Sequence, residues 1–295
     1  MTIAILGGAG NMGCWLTRHF AGQNRSLVIS DPQTPELGKL PQSCDIRVTS
    51  DNKTAVNNAE LVVVSVPMNK TAGVIREVIP HMKRKSTLCE ISSLKMNLVD
   101  ALEELTNHDI RPLSIHPMFG PGAQSLRKKI LLIPIIDSEN EQEVVESLFP
   151  NTAIITVEAD RHDQIMALTL SLPYFMNMVL ASVLAKEDVQ VLKQIGGTTF
   201  EIQTVLTGSI MAQSTDLHYH LHRLNKYAMD ILTSLSSRIE SLLEPLIQWD
   251  QAGFQESYES IKAALERSMD SARAYHDMYH ILDFMEQHKA PEGKR

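Results

Sequence analysis

The stretch that decides the fold is Ile3-Ala4-Ile5-Leu6-Gly7-Gly8-Ala9-Gly10-Asn11-Met12-Gly13. Apolar residues lead into a cluster of glycines, and a helix-like segment, Cys14–Ala21, follows. Gly8, Gly10 and Gly13 fit G-x-G-x-x-G, whose glycines permit a tight turn, close approach of a pyrophosphate and close helix packing. A helix N-terminus placed there presents N–H groups to phosphate. This strand–turn–helix pattern predicts a dinucleotide site, and the alternative is a glycine-rich turn of another α/β fold.

The second predicted strand, Leu27–Ser30, ends at Asp31, which lies 18 residues beyond Gly13. A carboxylate at this distance holds the ribose 2′-OH of NAD and repels the 2′-phosphate of NADP. Because no arginine follows Asp31 directly, we expect NAD as the cofactor, with NADP as the less favoured choice. The alternative is that Asp31 only opens the Asp-Pro turn.

Strand and helix signals alternate over about 157 residues, which is typical of a doubly wound α/β sheet. One run in this region, Leu61–Pro67, is apolar enough for a strand buried on both faces. Open α/β sheets bind ligands at the carboxyl ends of their strands, so the end of this run should face the cofactor. The residues predicted to bind the cofactor are Gly8, Ala9, Gly10, Asn11, Met12, Gly13, Asp31, Ser65, Val66 and Pro67.

Strand signals largely stop after residue 157, so we predict a Rossmann-type domain in residues 1–157 and an all-α dimerisation domain in residues 158–295. The uncharged run Gln164–Ala185 is long enough to span a membrane, but its polar residues favour the core of a dimer. Further helical stretches are predicted at Val189–Gly208, Asp216–Leu243 and Phe254–Gln287, with Pro245 separating the last two.

The composition is that of an ordinary globular protein: 295 residues, 43% of them hydrophobic, with a formal net charge of −8. An acidic balance argues against nucleic-acid and anionic-membrane partners, although a pocket can still be locally basic. The three cysteines form neither a disulfide framework nor a C-x-x-C pair, and Cys14 and Cys89 are expected in the core. Strand-like sequence from Thr2 leaves no room for a signal peptide, so a cytoplasmic location is expected.

His116 is the leading catalytic candidate because it directly follows the predicted strand Leu113–Ile115 at the carboxyl edge of the sheet. Pro117 restricts its backbone to an extended form, so its imidazole should face a nicotinamide. A neutral imidazole there can accept the proton of a substrate hydroxyl as hydride leaves the same carbon. Ser93 ends the preceding strand and can contact the same oxygen. The alternatives are a surface-loop histidine and helix capping by Ser92 and Ser93.

Other histidines and cations are weaker candidates. His218 and His222 share a helix face but lack the glutamate of an H-E-x-x-H zinc site, so we interpret them as surface or interface residues and predict no metal. His276 and His280 repeat that spacing. The basic cluster Arg127-Lys128-Lys129 is either a solvated turn or the border of an anionic pocket.

These residues resemble the prephenate dehydrogenase family, including its arogenate- and 4-amino-4-deoxyprephenate-using members. The resemblance covers nearly the whole chain and rests on Gly8–Gly13, Val64–Pro67, Glu90–Lys95, His116–Pro121 and Arg161–Gln164. It implies a Rossmann domain, a helical domain that forms a homodimer, and NAD(P)⁺-dependent oxidative decarboxylation of a small anionic cyclohexadiene in tyrosine biosynthesis. His116 matches the family's catalytic histidine and Ser93 the serine beside it, so both are implied to contact the ring C4 hydroxyl.

Two departures from the family bear on the substrate. The stretch Gly208–Gln213 places Ser209 where the family has an arginine that binds a substrate carboxylate, and we assign Gln213 of this stretch to the substrate. A hydroxyl does not reproduce a bidentate arginine–carboxylate contact. The family's histidine-bearing segment is here Leu170–Tyr174, without either histidine. Another cation can take over, and the candidates are Arg127, Lys128 and Arg223.

Three functions therefore stay open. The first is a dehydrogenase acting on prephenate, arogenate or 4-amino-4-deoxyprephenate. The second is another NAD(P)-dependent reductase with a helical second domain, suggested by Gly196-Gly197 but lacking the lysine that such enzymes place at helical spacing. The third is a non-catalytic protein that binds the cofactor and regulates another process.

Overall fold

The computed structural model describes residues 1–23, 25–36, 44–123 and 128–288. The chain forms two compact units, one made of Met1–Thr169 with Tyr219–Tyr227 and the other of Leu170–His218 with Ala228–Arg295. A short piece of the helical region thus belongs to the first unit. The domain boundary after residue 157 stays a prediction.

The first unit is built on one eight-stranded sheet in the order β3-β2-β1-β4-β5-β6-β7-β8. Its strands are β1 (Thr2–Leu6), β2 (Ser26–Ser30), β3 (Ile46–Thr49), β4 (Leu61–Val64), β5 (Thr87–Glu90), β6 (Arg111–Pro117), β7 (Lys129–Ile133) and β8 (Ala153–Thr156). The first six strands are parallel, and β7 pairs antiparallel with β6. The predicted Rossmann-type sheet is confirmed, and its strand order reverses between β1 and β4, where such sheets bind ligands.

Helices cover both faces of this sheet, and the alternation of side chains along the strands supplies both cores. Ile3 and Ile5 of β1 face one apolar cluster, whereas Ala4 and Leu6 face the other. The helices are α1 (Asn11–Ala21), α2 (Asn52–Val56), α3 (Met68–Val78), α4 (Val99–Glu103), α5 (Ser138–Leu148) and α6 (Ala159–Met166). Cys14 and Cys89 are buried as predicted.

After α6, the part of the chain that the structure describes is helical, but its helices are shorter than predicted. They are α7 (Leu172–Leu184), α8 (Val189–Ile195), α9 (Thr198–Met211), α10 (Thr215–Leu224), α11 (Ala228–Ile247), α12 (Gln251–Leu265) and α13 (Ser271–Gln287). Pro245 was expected between two helices and instead lies in the last turn of α11. The breaks fall at Asp250 and Asp270, whose carboxylates accept N–H groups of the following helix.

A continuous helical run, Ala159–Leu184, joins the two units in sequence through a π-helical segment, Ala167–Ser171. Its length and composition would allow it to cross a membrane, and 17% of its most apolar window is buried inside the protein. A soluble helix covered by a partner has the same properties.

Candidate active site

The glycine turn joins β1 to α1 and packs against the end of β4. Gly7 has a φ of +82°, and a Cβ there would lie 2.4 Å from the carbonyl oxygen of Ser65. A Cβ on Gly13 would lie 2.2 Å from the carbonyl oxygen of Gly7, so only glycine lets α1 start this close to the strand. Helix α1 begins at Asn11, and the first N–H groups of a helix have no intrahelical acceptor. The turn therefore lets a ligand approach the first N–H groups of α1, which is what binding of a pyrophosphate requires.

Asp31 follows β2 at the same edge of the sheet and contacts the glycine turn. Its Oδ2 accepts a hydrogen bond from the Ala9 N–H at 3.0 Å, and its Oδ1 accepts one from the Gln33 N–H at 2.9 Å. The carboxylate thus both organises the turn that follows it and lies beside the dinucleotide turn. This position suits a ribose hydroxyl and disfavours a 2′-phosphate.

A buried ion pair lies beneath the end of β6. The Lys95 Nζ is 2.6 Å from Oε1 of Glu90 and 2.7 Å from the carbonyl oxygen of Ile115. The two charged side chains are 1% and 0% exposed, and Ser114 Oγ donates to the same carboxylate. Because Ile115 directly precedes His116, the ion pair holds the backbone of the catalytic candidate.

His116 contacts a second histidine, which α6 carries. The His116 Nδ1 lies 2.9 Å from Nε2 of His162, and the His162 Nδ1 lies 2.8 Å from Oδ1 of Asp163. The Asp163 carboxylate also accepts the N–H groups of Lys95 and Met96, each at 3.0 Å. An ionised carboxylate only accepts, so His162 donates to Asp163 from Nδ1 and accepts the His116 Nδ1–H at Nε2. This arrangement leaves the lone pair on Nε2 of His116 as the basic site.

Burial favours the neutral form of both imidazoles. It lowers the pKa of His116 well below its ordinary value, and the charge of Lys95 lowers that pKa further. Burial also lowers the pKa of His162, although the hydrogen bond to Asp163 acts in the opposite direction. The His116 imidazole therefore stays in its neutral form, the form that can accept a proton, to lower pH than an ordinary histidine does.

His116 lies inside β6, and the prediction that it follows the strand is wrong. Antiparallel pairing with β7 extends the strand beyond Ile115, so that His116 pairs with Leu131 and Pro117 with Ile130. The side chain is 6% exposed, which also contradicts the alternative of a surface-loop histidine.

The two serines after β5 do not cap a helix. Helix α4 begins at Val99 with Leu98 at its N-cap, where no side-chain capping bond forms in the described chain. Ser92 is buried, its N–H donates to Oε2 of Glu90 at 2.7 Å, and its Oγ has no hydrogen-bond partner among the described residues. Ser93 is half-buried beside it. Hydroxyls in these positions can bind a ligand at this edge of the sheet.

His218, which was interpreted as a surface or interface residue, is buried within the helical unit. Its Nε2 lies 3.0 Å from the carbonyl oxygen of Ile210, and its ring centre lies 5.6 Å from that of Tyr174. Packing inside the unit therefore explains this histidine. Across the described ranges of the chain, no group of three or more histidine, cysteine, aspartate or glutamate side chains could hold a metal.

Ser209, which stands where the family has its substrate arginine, lies in α9, and Gln213, which was assigned to the substrate, lies just after that helix. The Ser209 hydroxyl donates to the carbonyl oxygen of Leu206 at 2.8 Å, so the local helix satisfies it. The Gln213 Nε2 donates to the Tyr174 hydroxyl at 3.2 Å. Of the alternative cations, Arg223 is exposed, Lys128 is half-buried, and Arg127 lies outside the described residues.

Comparison with known proteins agrees with this geometry. A family model described as prephenate dehydrogenase, nucleotide-binding domain, matches residues 21–136. A probable arogenate/prephenate dehydrogenase of Methanocaldococcus jannaschii is 23% identical over 261 residues, which are 86% of this chain and 58% of the relative. The chain is therefore similar to prephenate dehydrogenases over residues 21–136 in the family model and over most of its length in this relative. A T-protein of Enterobacter agglomerans is 25% identical over 88% of this chain and 66% of its own length, so the chain spans about three fifths to two thirds of these relatives.

Solved structures of a prephenate and an arogenate dehydrogenase share the fold. The A. aeolicus prephenate dehydrogenase in complex with hydroxyphenyl propionate and NAD⁺ has a TM-score of 0.69 and 16% identity, covering 90% of this chain and 98% of that one. The Synechocystis arogenate dehydrogenase has a TM-score of 0.63 and 15% identity, covering 91% of this chain and 100% of that one. At this identity the similarity shows the fold alone.

Sequence reasoning assigned no role to His162, Asp163, Glu90 or Lys95. All four lie in stretches that carry the family resemblance, yet their partners are distant in sequence. The available signal was the charge itself, because Glu90 and Lys95 flank an otherwise apolar or small-residue stretch that follows a buried strand. Ionisable groups there need partners.

Proposed function

We propose that this chain is a member of the prephenate dehydrogenase family and catalyses the NAD-dependent oxidative decarboxylation of prephenate or a close analogue, in aromatic amino-acid biosynthesis. The observation that carries the proposal is the chain of hydrogen bonds from His116 through His162 to Asp163. It lies at the same edge of the parallel strands as the glycine turn. A proton acceptor beside a dinucleotide turn is the combination that oxidation of an alcohol requires.

His116 is the proposed base. Its Nε2 accepts the proton of the ring C4 hydroxyl while hydride leaves C4, and bound NAD⁺ supplies the hydride acceptor. His162 keeps the proton on Nδ1 of His116 and so keeps Nε2 available, while Asp163 orients His162. Ser93 is proposed to hydrogen-bond the same hydroxyl. Loss of CO₂ from C1 then completes an aromatic ring, which makes the reaction effectively irreversible.

A substrate panel tests this proposal. Purified protein is mixed with NAD⁺ or NADP⁺ and with prephenate, arogenate or 4-amino-4-deoxyprephenate, and formation of the reduced cofactor is followed by absorbance. We expect turnover of at least one compound, with NAD⁺ preferred because Asp31 disfavours a 2′-phosphate. Cofactor binding without any turnover would favour the non-catalytic alternative, and turnover of a hydroxyacid alone would favour another reductase.

The identity of the substrate depends on what replaces the family's substrate-binding arginine, where this chain has Ser209. Because Ser209 cannot provide a bidentate contact to a carboxylate, arogenate and 4-amino-4-deoxyprephenate stay alternatives to prephenate. Gln213 is proposed as a polar contact to the substrate. The panel distinguishes these compounds directly, since they differ in the side-chain amine and in the group on ring C4.

We also propose that the helical unit forms a homodimer. Helices α12 and α13 contain no buried residue, and large apolar side chains such as Leu243, Ile247 and Phe284 are exposed. Helices of this kind depend on packing for their stability, so another surface must cover them. A second copy of the chain is the proposed partner, because closed two-fold dimers are the commonest assembly. A cytoplasmic location and the absence of nucleic-acid and membrane partners stay predictions.

A further inference from the structure

The short segment Asn225–Tyr227, called the return segment below, belongs to the sheet unit although the helical unit surrounds it in sequence. It follows α10 and contacts α6, the helix that carries His162 and Asp163. The proposed proton transfer uses no residue of this segment. The contacts of this segment with α6 therefore need a separate explanation.

Asn225 contacts Asp163, the last residue in the chain of hydrogen bonds that starts at His116. The residue is 1% exposed, and its Nδ2 donates to the carbonyl oxygen of Asp163 at 2.8 Å. Its Oδ1 accepts the Tyr227 N–H at 3.0 Å. Both ends of the amide are thus used, one to hold the backbone of Asp163 and the other to fix the return segment itself.

The remaining contacts of the return segment hold the first turn of α6. The Tyr227 hydroxyl donates to Oδ1 of Asp160 at 2.5 Å, and Lys226 Nζ lies 2.7 Å from the same oxygen. The Gln164 Nε2 donates to Oδ2 of Asp160 at 3.0 Å and to the Tyr227 hydroxyl at 3.2 Å. The return segment therefore contacts residues of α6 that precede and follow His162 in the sequence, namely Asp160 and Asp163.

We propose that Asn225 is a positioning residue for proton transfer at His116, acting by holding the backbone of Asp163 so that His162 stays in hydrogen-bond contact with His116. This inference rests on the proposed function of His116. Catalytic groups must be held within a fraction of an ångström, and a displacement of about 1 Å can cost roughly a hundredfold in rate. His162 lies on α6 and His116 lies on β6, so a shift of α6 would lengthen the contact between the two imidazoles.

The test compares Asn225→Ala and Asn225→Asp with wild type. Aspartate keeps the shape of the side chain but cannot donate to the Asp163 carbonyl oxygen. We expect kcat to fall roughly tenfold to a hundredfold, with the Kd for NAD⁺ from calorimetry unchanged within about twofold. A purely structural role would instead lower the amount of folded protein and leave kcat per folded molecule unchanged.

A second readout does not depend on turnover. Nitrogen NMR of ¹⁵N-histidine-labelled protein identifies which ring nitrogens carry protons. Wild type should show protonated Nδ1 on both His116 and His162, and the Asn225 variants should show exchange between tautomers at these two residues. The matched control is Asn177→Ala, which removes a buried amide that also donates to a carbonyl oxygen, that of Pro173, in the other unit. It should leave both signals unchanged.

Tyr227→Phe provides a milder variant if both Asn225 variants fail to fold. It removes the hydrogen bond to Asp160, and we expect it to shift the His162 signal. Unchanged histidine signals in every folded variant of the return segment would overturn the inference. If wild type turns over none of the three substrates while the Asn225 variants still alter the tautomers, the proposed function fails and the positioning role stands.

Discussion

The proposed role of His116 as a base requires a neutral imidazole, and the surroundings of this residue favour that form. An unperturbed histidine has a pKa of about 6.5, so a base with that ordinary value would lose activity below about that pH. Burial and the Lys95 charge lower the pKa of His116 well below that value. The structure therefore moves the expected acid limb of the pH–rate profile to lower pH.

The pH dependence of kcat checks this shift. The neutral form is the active one, so kcat should stay level as the pH falls through about 6.5 and decline only as it approaches the lowered pKa of His116. The measurement is kcat at saturating substrate from about pH 5 to 8. A midpoint at or above the ordinary histidine value would contradict the buried environment described for this residue.

The ion pair of Glu90 and Lys95 should be costly to break. Lys95→Met leaves a carboxylate buried without its partner, and we expect a loss of about 3–5 kcal/mol in the free energy of unfolding, measured with urea. The control is Arg76→Met, which breaks the exposed pair with Glu104 and should change stability far less. Equal losses in the two variants would mean that the buried pair contributes no more to the free energy of unfolding than the exposed pair does.

At the residue scale, local motifs identified the candidates but not their connections. His116 and Asp31 were predictable because each ends a predicted strand at a known edge of the sheet. The contact of His116 with His162 joins residues 46 positions apart and depends on how α6 packs. A single sequence carries no signal for that packing, and the tautomer of His116 depends on it.

At the scale of elements, the glycine turn makes the sharpest prediction. A Cβ at position 13 would lie 2.7 Å from the Cα of Gly8, so Gly13→Ala should push α1 away from the strand and weaken NAD⁺ binding. Gly73→Ala in α3 is the matched control, because a Cβ there meets nothing within 4 Å. That change should add roughly 0.4–1 kcal/mol of stability and leave NAD⁺ binding alone.

Calorimetry with NAD⁺ and urea unfolding of both glycine variants provide the comparison. Normal NAD⁺ affinity in a folded Gly13→Ala protein would contradict the role of this turn. The control also guards against a general effect of replacing glycine within a helix.

Strands were predicted better than helices, for a physical reason. A strand in a parallel sheet is buried on both faces, so an apolar run such as that of β4 marks it clearly. The helices after residue 170 have continuous amphipathic patterns that run across their ends. The positions where these helices begin depend on single capping residues, such as Asp250 and Asp270. Hydrophobic periodicity does not detect such residues.

At the scale of the whole molecule, the exposed apolar surface of the helical unit predicts its assembly. Sedimentation should give the mass of two chains. Phe284→Asp, at a side chain that is 61% exposed, should shift the equilibrium toward one chain. Ile136→Asp is the matched control, because Ile136 is 62% exposed but belongs to the sheet unit.

Two results would count against the dimer. One is a single chain at all concentrations in the wild-type protein. The other is equal dissociation by Phe284→Asp and Ile136→Asp, which would show that exposure alone, rather than the helical unit, determines association. Composition could suggest this assembly only through the uncharged run Gln164–Ala185, whereas the structure extends the exposed surface to α11 and α13.

The measurement that tests the central claim most directly is the single-turnover rate of His116→Asn with NAD⁺ and the substrate that wild type accepts. Asparagine keeps much of the size of the side chain but cannot take the proton. We expect a rate lower by roughly 10²–10⁴, with NAD⁺ affinity unchanged, since the glycine turn is untouched. A rate equal to that of wild type would contradict the role of His116 as the base.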